Sequence, residues 1–403
     1  MIAVARGVRR KGESRLPRRA YGVRRVRSAG KPDFSGYGAD HMIPIAQPMI
    51  GQEEIDAVRE VIASGMLARG SYVDQFEHEF AQYCGTEYAV AMNSGTAALF
   101  STLYALDIAQ GDEVIVPDFT FIATASSVRM AGAHPVFADI NEKSYNIQPE
   151  AILEHITPKT RAVIGVHLYG QPFDVRAVSE ICEDHGLILI EDCAQAHGAR
   201  YEGRKVGGFG TAGCFSFYPT KNMTTSEGGM VTTDDPHLAM KLRKIIDHGQ
   251  DIKYRHDLIG FNFRMTNLEA AIGRVQLGKL DAMNERRRMN AAYLLRHLPA
   301  SGIIAPYCAP QSRHVYHQFV IRLEENLGVS QEDFMGIMRE RGIQTAIHYP
   351  IPLHRQPVFA QAANGTRCPV SESCACSVLS LPVHPSVSKQ DCRYICTRIR
   401  EVI

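Results

Sequence analysis

The sequence predicts an α/β protein: a mostly parallel, doubly wound sheet in a large domain, followed by a smaller C-terminal α+β domain. Three observations predict it. Short β-branched runs alternate several times with stretches whose apolar positions recur at helical spacing. These runs are almost continuously apolar, as in strands covered on both faces. After about Leu280 the alternation gives way to a long charged amphipathic stretch and then a strand of alternating polarity.

The elements follow in order from Met42. "EEIDAVREVIASG" has helical periodicity and stops at Gly65, a C-cap residue. "YVDQFEHEFAQYCG" repeats the pattern. "YAVAMNSG" is a short strand, "TAALFSTLYALDIAQG" a helix, and "DEVIVP" a strand ending at Pro117. "FTFIATASSVRMAG" reads as helical and "HPVFADI" as a strand. "PEAILEHI" opens with proline at a first helical position. "RAVIGVHLYG" is a strand, "VRAVSEICEDHG" a helix, and "LILIEDCAQ" a strand ending in acids. In the C-terminal part, "DAMNERRRMNAAYLLRHL" is a helix, "HVYHQFVIRL" a strand, and "SQEDFMGIMRERG" a helix capped by Ser330. The expected division is residues 1–41 as a basic, disordered tail, 42–280 as the large domain and 281–403 as the small one.

The 403 residues are 45% hydrophobic and carry a formal net charge of +1, so nothing global points to a nucleic-acid partner. Basic charge concentrates at Arg6, Arg9, Arg10, Arg15, Arg18, Arg19, Arg24, Arg25 and Arg27, with few acids between them. Three readings of this tail stand: a transit peptide, an anion-binding arm, or a stretch upstream of a true start at Met42. No apolar run reaches the roughly 18–20 residues needed to span a bilayer, so no membrane association is expected. Ten cysteines are scattered, several of them in apolar runs, which fits a reducing cytosol. Cys374, Cys376, Cys392 and Cys396 have spacings that suit zinc poorly, so packing or surface thiols are expected and no metal.

In parallel sheets, ligands bind beyond the carboxyl ends of the strands. Three segments fall there. "NSGT" is a strand, a tight turn and a helix start, where free amides and the helix dipole favour an anion. Gly95 allows close approach and Thr96 offers a hydroxyl, although an ordinary N-cap explains the pattern when taken alone. Asp192 ends an apolar strand, where burial is costly without a partner, although an exposed strand-end acid is the blander account. Gln195 follows three residues on. "FSFYPTK" brings Ser216 and Lys221. A surface lysine would reach for water, whereas one in a dry pocket or beside other cations loses pKa and becomes a Schiff-base lysine. Together an anion cup, a strand-end carboxylate and a lysine meet the three demands of pyridoxal 5'-phosphate: its phosphate, its ring nitrogen and its aldehyde. No G-x-G-x-x-G follows a strand and no P-loop motif occurs.

These residues lie in "SGTAAL", "GDEVIVPDFTFIATASSV", "PVFADI", "VHLYGQPFD", "IEDCAQAHGA", "FSFYPTKNMTTSEGGMVTTDD", "GFNFRMTNLEAAIG" and "IHYPIPLH". In that order, over nearly all of the chain from Met42, they resemble the DegT/DnrJ/EryC1/StrS sugar aminotransferases. The resemblance implies the fold type I architecture of aspartate aminotransferase and an enzyme that is a homodimer with shared sites. It implies Lys221 as the imine lysine, Asp192 as the ring-nitrogen partner and Gln195 as a neighbour of the ring hydroxyl. Gly95, Thr96 and Ser216 then form the phosphate cup, and Phe121 stacks on the cofactor. Asn262 and Arg264 would reach the neighbouring subunit's site, although a surface ion pair also explains Arg264. His348 would lie near the substrate.

By the same resemblance, glutamate donates the amine and a nucleotide-linked keto-hexose accepts it, in amino-sugar, surface-polysaccharide or antibiotic-sugar biosynthesis. "VHLYGQP" resembles members acting on 3-keto sugars, and members acting at C4 carry similar strings. A dehydratase or epimerase of the same family, and a regulator that binds the cofactor without turnover, are the other readings. One branch of the family has histidine in place of the lysine and removes a hydroxyl, so Lys221 favours transfer. Ser226 departs from the usual glycine of the loop. If that position has φ above zero, serine carries strain there.

Overall fold

The computed structural model describes residues 42–403. The basic segment read as a tail lies outside them. Helices α1 (Gln52–Ser64) and α2 (Ser71–Cys84) come first, α1 closing on Gly65. Strand and helix then alternate: β1 (Tyr88–Met92), α3 (Gly95–Ala105), β2 (Glu113–Pro117), α4 (Ala123–Met130), β3 (His134–Ala138), α5 (Pro149–Leu153), β4 (Thr160–Val166), α6 (Val175–Asp184) and β5 (Ile188–Asp192). After the short strands β6 (Arg200–Tyr201) and β7 (Arg204–Lys205) come β8 (Ala212–Ser216), β9 (Gly229–Thr233) and α7 (Pro236–Ile246).

The main sheet has seven strands in the order β1-β9-β8-β5-β4-β2-β3. Only β9 runs against its neighbours, pairing antiparallel with β1 and β8, and the remaining neighbours pair in parallel. Strand alternation sorts the core. Val90 and Met92 pack with α3, α4 and α7 on one face, whereas Ala89 and Ala91 face α2 and α8 on the other. Ile115, Val163 and Leu189 meet α5 and α6 on that second face. Among the described residues, no helix is long and apolar enough to cross a membrane.

Beyond the sheet lie β10 (Gln250–Ile252), β11 (Arg255–His256) and α8 (Asn267–His297). Helix α8 begins well before Asp281, the start expected from sequence. Its signal is a capping box: Glu269 N donates to Thr266 Oγ1 at 3.2 Å, and Thr266 N donates to Glu269 Oε2 at 2.7 Å. The helix then runs unbroken across position 280. Strands β12 (Ile303–Ile304), β13 (Ser312–Arg313) and β14 (Phe319–Leu323) follow, then α9 (Gln331–Glu340), α10 (Pro369–Ala375), β15 (Val378–Leu381) and α11 (Lys389–Arg400). A second, three-stranded sheet has the order β12-β14-β15. Ser330 caps α9, accepting from Asp333 N at 3.0 Å. All ten cysteines are free thiols; of the C-terminal four, Cys374, Cys392 and Cys396 are buried and Cys376 is exposed.

Besides α8, three stretches differ from their sequence readings, and one of them, "HVYHQFVIRL", is strand only from Phe319. "FTFIAT" is not helical until Ala123. Asp118, just before it, holds the chain in place by accepting from Leu353 N at its carbonyl and from His354 N at its side chain. Strand β4 stops at Val166 instead of running to Gly170. Beyond it Leu168 N donates to Asn146 Oδ1 at 3.0 Å and Tyr169 N to Gln195 Oε1 at 2.8 Å, so side chains replace the ladder there.

Ser226 has φ +78°, in the left-handed region. A Cβ there costs roughly 1–2 kcal/mol, whereas glycine returns about 0.4–1 kcal/mol through the freer unfolded chain. Ser226→Gly should therefore stabilise the protein by about 0.5–1 kcal/mol. A urea midpoint unchanged or lowered in the variant would contradict this.

Candidate active site

The strand ends gather at one edge of the sheet. Ser94 follows β1 and caps α3, accepting from Ala97 N at 3.1 Å. The first amides of a helix have no partner within it, and here they belong to Gly95 and Thr96. Neither neighbour could approach if the glycines carried side chains. A Cβ on Gly95 would lie 2.6 Å from Ser216 Cβ, and one on Gly229 would lie 2.3 Å from the Ser94 carbonyl oxygen. The ends of β1 and β8 and the start of β9 thus close into one cup, which holds Gly95, Thr96 and Ser216.

Asp192 ends β5 and is 5% exposed. Its Oδ2 accepts from Thr124 Oγ1 at 2.9 Å and its Oδ1 from Ala194 N at 3.1 Å. Burial raises its pKa, and the Ala194 amide, the Thr124 hydroxyl and the Lys221 charge pull it back. Lys221, after β8, responds in the opposite direction. Burial pulls its ammonium down to about 8, and the Asp192 charge partly restores it. The dry pocket lowers this lysine; a neighbouring cation is not the cause.

The residue before Asp192 has a different task. Glu191 points to the other face of β5 and is fully buried. It accepts from Gly207, Phe209 and Gly210 N–H at 2.7–2.9 Å, and it lies 3.0 Å from His167 Nε2. Burial would lift this acid, but the His167 ring and the amides hold it below the usual carboxylate range. It fixes the end of β5 and so the position of its neighbour.

Gln195 is brought to the same place. Its Nε2 donates to Tyr349 Oη at 3.0 Å, which leaves its second N–H for another acceptor. Phe121 is 52% exposed, its ring 6.0 Å from that of Tyr349. A half-bare aromatic near a buried acid and a half-buried lysine is an open stacking face. His348 Nδ1 lies 2.8 Å from Ser380 Oγ. Burial, with help from the Lys221 charge, pushes His348 down to about 4, so it is neutral near pH 7.

Arg264 and Asn262 lie on a strap alongside β1. Met92 bridges Arg264, and Asn93 N donates to the Phe263 carbonyl at 2.8 Å. Within its own chain Arg264 pairs with Asp247, and Asn262 is exposed. Four further residues escaped the sequence reading. Thr124 and Tyr349 bond the predicted residues directly. His197 and His317 are buried, and the charge of Lys221 adds to burial in keeping both neutral. Thr124 lies three residues after Phe121 and Tyr349 next to His348, and that proximity was the only available signal.

The residues fit pyridoxal phosphate on this chain's own geometry: a cup that only glycines permit, a buried acid, a dry amine and an uncovered aromatic face. The comparisons with known proteins agree. A profile of the DegT/DnrJ/EryC1/StrS aminotransferase family matches residues 48–400. The UDP-N-acetyl-3-dehydro-α-D-glucosamine 3-aminotransferase of Acidithiobacillus ferrooxidans is 41% identical over 87% of this chain and 94% of its own length. The dTDP-3-amino-3,6-dideoxy-α-D-galactopyranose transaminase of Aneurinibacillus thermoaerophilus is 42% identical over 84% of this chain and 93% of its own. The crystal structure of Streptomyces venezuelae DesV in complex with a ketimine intermediate superposes with a TM-score of 0.83 at 41% identity, covering 87% of this chain and 94% of that one. A half-buried lysine within electrostatic reach of a buried aspartate, in a fold shared with such relatives over almost all of their length, accords with the profile match, and this chain belongs to the DegT/DnrJ/EryC1/StrS aminotransferase family.

Proposed function

We propose that this protein uses pyridoxal phosphate to move an amino group from glutamate to the keto carbon of a nucleotide-linked hexose, at C3. The observation that carries the reading is that Lys221 lies within electrostatic reach of the buried carboxylate of Asp192, at the strand edge where Gly95 and Gly229 permit a close-packed cup. The preference for C3 rests on the relatives above whose names place the amine at that carbon. When bound, the cofactor supplies a carbonyl that carries the amine and a ring that withdraws electrons.

The chain's own residues have separable tasks. Gly95, Thr96 and Ser216 bind the phosphate at the start of α3. Asp192 holds the proton on the ring nitrogen; facing that cation offsets the burial that otherwise raises its pKa. Gln195 donates its second N–H to the ring hydroxyl, and Phe121 covers one ring face. Lys221 Nζ takes the proton from the α-carbon of the donor and returns one on the acceptor's side. With a pKa near 8, roughly a tenth of it is unprotonated at pH 7, so it serves as base and acid in turn. Neutral His348 contacts the sugar. Glutamate and the keto-sugar leave as 2-oxoglutarate and the amino-sugar.

The active form we propose is a homodimer. Ile55, Ile62, Met66, Tyr254 and Ile259 are half or more exposed, a heavy apolar surface for a lone chain. The last two precede the strap of Asn262 and Arg264, which we assign to the partner's site. The free thiols fit a cytosolic location. Ile259→Glu should yield monomers in sedimentation with weakened cofactor binding; an unaltered dimer would exclude this face.

In protein freed of cofactor, the amine of Lys221 should react with pyridoxal phosphate faster as pH rises through about 8. The charge of Asp192 raises the Lys221 pKa, so Asp192→Asn should move this inflection to lower pH. An inflection that stays put or rises would mean that the two do not face each other.

Glutamate alone should bleach the visible absorbance of the Lys221-bound cofactor, and a 3-keto-hexose nucleotide should restore it. Lys221→Ala should lose that absorbance and lower turnover by roughly 10²–10⁴-fold. Absorbance indifferent to every amino donor, with cofactor bound, would point instead to a sensor.

A further inference from the structure

Behind the aromatic wall of the site is a buried bridge that the reaction above does not use. Asp118, fully buried, follows β2, and His354, with 2% of its side chain exposed, lies in the segment after Tyr349. Asp118 Oδ2 is 2.6 Å from His354 Nδ1, and Oδ1 accepts from His354 N at 2.7 Å. The other ring nitrogen, Nε2, is 2.9 Å from Glu372 Oε1 on α10. A neutral imidazole has one N–H and can serve one carboxylate. A ring between two carboxylates therefore fits the cation, with an N–H for each.

This bridge lies close to the site on both of its strands. Asp118 is three residues before Phe121, and His354 is five after Tyr349. Tyr349 packs on Phe121 at 6.0 Å and on Phe119 at 6.4 Å, and it also bonds Gln195. Resting on the reading of the pocket given above, we propose that His354 is a positioning residue: its protonated ring ties the Phe121 loop to the His348–Tyr349 segment, and that wall loosens when the proton leaves.

The surrounding charges agree. The bond to Asp118 raises the His354 pKa most, with the Asp118 charge and Glu372 adding to it, whereas burial and Arg355 oppose. Arg355 and the His354 ring hold Glu372 ionised. Cys368 packs beside Asp118, but burial pushes its thiol up, so it stays S–H and adds no competing anion. Asp139 is occupied with the start of α10, accepting from Val370 N and Ser371 N at 2.9 Å. A histidine raised in the folded state stabilises fully below about 6.5, its ordinary value, and ever less as pH climbs through the folded value. The wall thus weakens on the alkaline side, where Lys221 gains reactivity.

The test compares wild type with His354→Gln, which keeps a donor and cannot titrate. Pyridoxal phosphate affinity and hydrogen exchange of residues 118–122 and 348–354 are followed from mildly acidic to alkaline pH. In wild type, affinity and protection of these two segments should fall together on the alkaline side. In His354→Gln, affinity should be about tenfold weaker at neutral pH, the loss of one charged hydrogen bond, and the alkaline component should vanish. Glu372→Gln removes only the negative charge of the more exposed of the two partners and should shift the alkaline loss to lower pH. Affinity within twofold of wild type in His354→Gln, or the same alkaline fall in all three proteins, would overturn the proposal. Wild type that never binds the cofactor would sink the functional reading instead, while the exchange data would still judge the bridge.

Discussion

The proposed chemistry depends on lowering the pKa of one amine. An ordinary lysine is almost wholly protonated near neutrality and can neither attack a carbonyl nor accept a proton. Burial lowers Lys221 to about 8, and the cost of that burial limits how the rest is built. A carboxylate must lie close enough to compensate part of the loss, yet Asp192 is itself buried and shifted upward. Each group thus makes the other's placement tolerable, and a protonated ring between them would satisfy the acid more fully than the lysine does.

Such a pair needs a stiff frame, and the frame is the sheet. Glu191 and Asp192 are adjacent acids sent to opposite faces by strand alternation. Glu191 uses its oxygens on three backbone amides and His167, which fixes the end of β5. Asp192 is left free to work. On the other side of Lys221, Phe215 and Phe217 flank Ser216 and pack edge-on against Phe80 of α2. The cup of Gly95, Thr96 and Ser216 and the lysine are therefore set by the same aromatic cluster. The far wall has no such backing, since Phe121 is half bare, and a charged bridge at His354 takes the place of apolar packing there.

Much of the site was legible because its residues follow strand ends. Gly95, Thr96, Asp192, Gln195, Ser216 and Lys221 fall just beyond apolar runs, and the sheet collects those ends on one edge. Ser226 was legible for a local reason, since a loop that usually has glycine there betrayed its φ. Less legible were segments where side chains replace backbone partners. The stretch from Asp118 to Ile122 has helical-looking apolar spacing, but Asp118 is held by the distant Leu353 and His354. Beyond Val166, Asn146 and Gln195 take the amides that would have continued the strand.

The sequence by itself determined the alternation of elements, the mostly parallel sheet and the edge at which Lys221 and the Glu191–Asp192 pair are gathered. These depend on period, turn chemistry and residue type, which are local. Only the tertiary structure decided which of two neighbouring acids interacts with Lys221, that burial rather than a nearby cation lowers its pKa, and that Thr124 bonds Asp192, Tyr349 bonds Gln195 and His354 bridges Asp118 and Glu372. Those outcomes depend on desolvation and on contacts across more than a hundred residues in several cases, as with Asp118 and His354, 236 positions apart. No local pattern records them.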